Sequence, residues 1–200
     1  MAELLQKDEV VEKEIIDAAR ALFKEYGFKK TTMGHIAMSL GKAKSSLYYY
    51  YSSKEEIFEA VIREEMNELL SQIHQAVGEA TSSKEKLIAY CRCRLNKLSQ
   101  LCNLSDALKS EIADMHCMML DIKSNFDTSH VELVKEILEE GVQNGEFKKL
   151  NADNITLVAY LMVSSFRGLA VPLMVSQQES PRLDLQIDSI VDIMVEGIGS

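Results

Sequence analysis

The chain has 200 residues, 46% of them apolar, with only two prolines and nine glycines. That length allows one large domain or two small ones, the apolar share supplies a packed core, and so few breakers point to long uninterrupted elements. A net charge of −9 excludes non-specific polyanion binding over the whole surface, and there is no run of about 18 apolar residues to span a membrane.

The first residues, MAELLQKDEVVEKEII, are too acidic and too broken for a signal peptide, so a cytoplasmic location is expected. Val11, Ile15, Ala18, Ala19, Leu22 and Tyr26 lie on one face of a helix, which Gly27 ends. Thr31 or Thr32 can cap a short second helix whose apolar face is Ile36, Ala37 and Leu40. Gly41 can take a positive φ at no steric cost and turn the chain into another short helix packed with tyrosines, Tyr48 to Tyr51. Ser45 and Ser46 are small enough to let that helix approach a surface closely. This layout is a helix-turn-helix, whose second helix lies in the DNA major groove.

Charge supports that reading. Residues 20–54 hold seven basic side chains against the single acid Glu25, a net +6 on a chain of −9. A positive island on an acidic protein is an electrostatic footprint for phosphate.

Ser53 stands three residues before Glu56, a capping-box start for a long helix striped by Phe58, Ile62, Met66, Leu69, Ile73 and Val77. Thr81-Ser82-Ser83 breaks the pattern. A fifth helix follows with Leu87, Tyr90, Cys91, Leu95, Leu98 and Cys102. Residues 104–123 form a methionine-rich helical stretch. Asp127 or Thr128 is expected to cap the next helix, through Val131, Val134, Leu138 and Val142, which stops at Asn144-Gly145. Residues 151–175 are apolar on most sides, and a last amphipathic helix after Pro181 carries Leu183, Ile187, Ile190, Val191 and Met194. No strand pattern of useful length appears. The expected fold is all-α with about nine helices: a helix-turn-helix domain at 1–53 and a larger helical domain at 54–200.

The four cysteines, Cys91, Cys93, Cys102 and Cys117, form no Cys-x-x-Cys pair and read as reduced thiols. His35 reads as solvent-facing. His74, His116 and His130 share no metal-ligand spacing, and no nucleophile arrangement, carboxylate pair or phosphate loop stands out. Neither an enzyme nor a bound cofactor is expected.

The block from about Ile15 to Ile62 resembles the DNA-binding domain of the TetR/AcrR family of bacterial regulators. The resemblance rests on Ala18, Leu22, Phe23, Gly27, Thr31, Thr32, Ile36, Ala37, Gly41, Lys44, Leu47, Tyr48, Tyr50, Ser53, Lys54 and Glu55. The stretch EILEEGVQNGEF at 136–147 resembles a common feature of the family's C-terminal domain. Lys42 stands where the family is usually apolar, Ala43 where a polar cap is common, and Tyr51 where phenylalanine is commoner. An operator sequence therefore does not carry over from any relative.

The resemblance implies that residues 44–50 are the recognition helix. Helical geometry turns Leu47 and Tyr50 inward and Lys44, Ser45, Ser46, Tyr48 and Tyr49 toward the groove. Lys42 can lay its stem over the turn and send its ammonium to a phosphate. Thr32 and Lys54, at helix N-termini, are expected to fix position on the backbone rather than read bases. Tyr50 and Tyr51 read as core, and Tyr49 stands equally between core and groove.

A helix apolar on nearly all sides must be covered on both. At 155–175 the small residues Ser164, Ser165, Gly168 and Ala170 permit close approach of a second copy. The dimer contacts expected are Leu161, Ser165, Gly168, Ile187, Val191 and Met194, in keeping with the family's intersubunit four-helix bundle. Tyr90, Met115, Met118, Met119, Met162 and Phe166 can line an apolar site, with Arg94, Arg92 and Arg167 as candidates to meet a carboxylate. The expected partners are a double-stranded DNA operator, a second copy and a small apolar effector, with no membrane. The function implied is a homodimeric repressor released from a palindromic operator by its effector. The rivals are a constitutive DNA binder with a filled core and a helical protein-interaction module.

Overall fold

The computed structural model describes residues 2–102, 120–175, 189, 191–193 and 195–197. Every regular element among them is helical: α1 (Ala2–Tyr26), α2 (Met33–Ser39), α3 (Lys44–Tyr50), α4 (Lys54–Glu79), α5 (Ser83–Cys102), α6 (Leu120–Gln143) and α7 (Ile155–Val175). The remaining described residues near the C-terminus are helical too. The all-α class expected from the sequence is the class observed.

The chain forms two compact units, residues 1–66 and 67–200. The boundary drawn at 53/54 marks the start of α4. The N-terminal unit also takes in the first turns of that helix, because Ile57, Phe58 and Val61 are buried there. Its core is completed by Ile15, Ala19 and Phe23 of α1, Met33, Ile36 and Ala37 of α2, and Leu47 of α3. The rings of Phe23, Phe28 and Phe58 meet pairwise at 5.1–5.6 Å. Tyr26, placed on the buried face of α1 by its spacing, is exposed. The buried row runs Ile15–Ala19–Phe23 at i, i+4, and Tyr26 falls off it at the last residue of the helix.

Helix starts are set by short polar side chains. Thr32 Oγ1 accepts the His35 N–H at 3.2 Å and caps α2. Thr31 is buried instead, and its hydroxyl donates to the Gly27 carbonyl at 2.8 Å. Ser53 caps α4 through the Glu56 N–H, 3.1 Å. The returning Glu56 carboxylate reaches Ser52, one residue further back, accepting from its N–H at 2.6 Å and its hydroxyl at 2.7 Å. Gly41, at φ 63°, makes the turn between α2 and α3 that a side chain would strain.

In the second unit α5, α6 and α7 pack on one another. Tyr90, Cys91, Leu95, Val134, Leu138, Ala159, Val163 and Phe166 lie at the centre, joined by Val191 and Val195. α6 is continuous through Asp127 and Thr128, where a new cap was expected. Neither glycine nor proline interrupts it before Gly141. A cap preference of about 1 kcal/mol does not start a new helix where the preceding residues, free of glycine and proline, already continue one.

Candidate functional site

Leu47, fully buried, seats α3 on the N-terminal unit. With that residue inward, Lys44, Ser45, Ser46, Tyr48 and Tyr49 are all exposed, Tyr49 at 75%. The Lys44 ammonium lies 5.6 Å from the Tyr48 ring centre. The Tyr49 and Tyr50 rings meet edge to face at 4.9 Å. Tyr50 is half-buried, and its hydroxyl donates to Asp8 Oδ1 at 3.1 Å, tying α3 to α1. Tyr51 is buried. His35 is exposed on α2, and so is Met38, a large apolar side chain that the sequence reading passed over.

The other three candidates of this face have partners inside their own unit. Lys42 pairs with Glu14 of α1 at 3.2 Å. Lys54 donates to the Phe28 carbonyl at 2.7 Å and stands 4.0 Å from the Phe28 ring centre. Thr32 is exposed and engaged as the α2 cap. Five candidates therefore form one open polar and aromatic surface on α3, while Lys42 and Lys54 brace the elements around it.

In the second unit Tyr90 is fully buried and Arg94 partly so, with its guanidinium carbon 5.6 Å from the Phe166 ring centre. The Tyr90 ring stands 6.1 Å from that of Phe166 and 5.8 Å from that of His130. Met162 is buried in the same core. Met115, Met118 and Met119 lie outside the described residues, as does the Arg167 side chain, and Arg92 is exposed. His130 is a residue that sequence reasoning set aside. It is 2% exposed, and its Nε2 lies 3.4 Å from Arg94 Nη1. The available signal was its place on the i, i+4 row with Val134 and Leu138. Burial, helped by the charge of Arg94, holds its pKa down to about 4. Burial also raises the Tyr90 phenol and pushes the Cys91 thiol up to about 12. Tyr90, Cys91 and His130 are therefore neutral polar groups in an apolar surround, with the charged Arg94 guanidinium at their edge. Among the described residues no group of three His, Cys, Asp or Glu side chains is placed to hold a metal ion.

One face of α7 is buried through Ile155, Ala159, Met162, Val163 and Phe166. On the other, Leu157, Tyr160 and Leu161 are each more than half exposed, beside exposed Ser165 and Gly168. Val191, expected between subunits, is buried in the unit's own core, and Ile193 carries the exposed apolar surface there. Ile187 and Met194 lie outside the described residues. No helix among the described residues is long and apolar enough to cross a membrane.

Known proteins resemble the chain over most of its length. Residues 15–61 match the pattern of bacterial regulatory proteins of the tetR family, and residues 62–166 match the C-terminal region of YsiA-like proteins. The fatty acid metabolism regulator protein of Bacillus subtilis (strain 168) is 23% identical over 185 residues, 92% of this chain and 94% of that protein. The HTH-type transcriptional repressor KstR2 of Mycolicibacterium smegmatis is 29% identical over 139 residues, 68% of this chain and 66% of that protein. The crystal structure of the transcriptional regulator FadR from Bacillus subtilis in complex with stearoyl-CoA shares the fold, with a TM-score of 0.66 at 21% identity over 93% of this chain and 98% of that one. The chain belongs to the TetR family and is a DNA-binding transcriptional regulator.

Proposed function

We propose that the chain is a dimeric repressor that holds two operator half-sites through α3 and lets go when an acyl-chain effector occupies the second unit. The observation that carries the DNA half is the open face of α3: Lys44, Ser45, Ser46, Tyr48 and Tyr49 exposed above a fully buried Leu47. Lys44 and the serine hydroxyls supply donors for base edges and phosphates, and the tyrosines add hydroxyls and a ring face for thymine methyls. Lys42 and Lys54, each with a partner inside its unit, steady that helix and lend positive charge near the backbone.

The exposed apolar face of α7 supports the dimer. Leu157, Tyr160 and Leu161, next to Ser165 and Gly168, form a stripe that water does not favour and that a second copy covers closely. The effector class rests on two supports. One is the cluster of Tyr90 and His130, with Arg94 beside them, in an apolar core. The other is the likeness to FadR, a protein crystallised with stearoyl-CoA. Effector binding weakens DNA affinity only by the difference between its affinities for the DNA-competent and the released states, transmitted through the continuous helix α4.

The test is selection of bound fragments from the source genome followed by footprinting of the purified chain. A protected site with two-fold symmetry, its half-sites about one helical turn or a multiple apart, is expected. Protection without symmetry, or none above competitor DNA, contradicts the two-headed reading.

A further inference from the structure

Tyr90 and His130 stand side by side in the α5–α6–α7 core, and both have hydrogen-bonding capacity left over. Their rings are 5.8 Å apart at 67°, and both residues are almost wholly shielded from solvent. The state of His130 follows from its neighbour. Arg94 Nη1 lies 3.4 Å from His130 Nε2. A guanidinium only donates, so Nε2 accepts. Burial keeps the imidazole neutral at neutral pH, and a neutral ring whose Nε2 accepts carries its proton on Nδ1.

Nδ1–H is then a donor, and it has no partner among the described residues. The Tyr90 hydroxyl has none either. Buried polar groups are nearly always satisfied, so two neighbouring orphans in one core point to a missing acceptor. The positive charge of Arg94, beside the ring of Phe166, favours an electron-rich oxygen over any other acceptor.

We infer that the Tyr90 hydroxyl and His130 Nδ1–H are the head-group site of the effector and donate to an acyl oxygen, either a thioester carbonyl or a free carboxylate. The apolar chain lies against Phe166 and Met162, both buried in the same core. The inference rests on the effector-responsive reading and adds to it the atoms that select the ligand. A site that hydrogen-bonds an oxygen discriminates strongly against the analogue lacking it, because its own donors are then left buried and unmet.

The test uses the full chain and three probes: stearoyl-CoA, stearate, and the thioether S-octadecyl-CoA, which lacks the carbonyl. The one of the first two whose affinity falls in Tyr90→Phe identifies the source of the oxygen. In Tyr90→Phe and His130→Phe the Kd for that probe rises about tenfold each. The thioether binds the parent more weakly than stearoyl-CoA, and neither variant weakens it further. Ligand-free Tyr90→Phe melts at the same or a higher temperature than the parent, because the lost hydroxyl had no partner. If His130→Phe does not fold, Tyr90→Phe and the thioether comparison decide alone. Equal affinity of parent and Tyr90→Phe for the acyl probe overturns the inference while leaving an acyl-responsive regulator intact. Loss of melting temperature in Tyr90→Phe without loss of affinity overturns it too, since the hydroxyl is then structural. If neither acyl probe binds the parent or moves it from DNA, the inference and the effector reading fall together.

Discussion

The ring of Phe147 fills the space that a side chain on residue 141 would need: a Cβ built on Gly141 overlaps the Phe147 ring. The Gly141 carbonyl in turn accepts the N–H groups of Glu146 and Phe147, at 2.8 and 3.1 Å. One short segment thus ends α6, with Gly145 at φ 75°, and plugs the core with Phe147. It also caps α5, because the Glu146 carboxylate accepts the N–H groups of Ser83 and Lys84 at 3.1 and 2.9 Å. This is a physical account of the EILEEGVQNGEF motif: each of its special residues serves the joint between two helices.

The sign of one substitution follows. Gly to Ala inside a helix ordinarily stabilises by up to about 1 kcal/mol. At Gly141 the overlap with Phe147 reverses this, and Gly141→Ala is expected to destabilise by about 1–3 kcal/mol. Urea unfolding measures it. Gly78 is the control: it lies in α4 with nothing near its absent Cβ, so Gly78→Ala is expected to be neutral or stabilising.

His130 makes stability depend on pH. Its folded pKa, about 4, lies below the ordinary histidine value of 6.5, through burial first and then the charges of Arg94 and His74. Between those two values the unfolded chain binds a proton that the folded chain refuses. This contribution is therefore fully present above about pH 6.5, and it is lost as pH falls toward 4, for a total of order 3 kcal/mol. Unfolding free energies between pH 7.5 and 4.5 are expected to fall more steeply for the parent than for His130→Phe.

On α3, Lys44→Ala is expected to cost about 1–3 kcal/mol of specific binding, with helicity unchanged. Tyr48→Phe tests the exposed hydroxyl in the same assay and is expected to weaken binding as well. Lys54→Ala differs in kind. Loss of its bond to the Phe28 carbonyl loosens the α1–α2 connection against α4, so melting temperature and affinity for all duplexes decline together. Anisotropy titrations at two salt concentrations, paired with thermal melts, separate the two behaviours.

Leu161→Glu places a charge on a side chain already exposed in the single chain. It is expected to leave the fold intact and to convert a micromolar dimer into monomer, read by light scattering with circular dichroism. A dimer that survives the change locates the interface elsewhere.

The elements with strong period were legible in the sequence. α4 and α7 carry long apolar stripes, and Leu47 and Tyr50, read as inward, oriented α3; Leu47 is fully buried and Tyr50 half-buried. What escaped was the choice of partner by long polar side chains. Lys42 reaches Glu14, Lys54 reaches the Phe28 carbonyl, and Tyr50 reaches Asp8, residues 28, 26 and 42 positions away. No local pattern encodes such pairings. The cap expected at Asp127 or Thr128 failed because the residues before it, LDIKSNF, hold no breaker and the helix runs through. His130 escaped because a lone histidine without ligand spacing looks inert until its neighbours Arg94 and Tyr90 are in place.

Release of this regulator from its operator by an acyl effector is read by fluorescence anisotropy. A labelled duplex carrying the footprinted site is saturated with protein and titrated with stearoyl-CoA. Salt-sensitive binding well above that of a scrambled duplex is expected, followed by a saturable return of anisotropy to the value of free DNA. A complex whose anisotropy stays constant through saturating stearoyl-CoA, and through stearate in a parallel titration, contradicts release by an acyl effector.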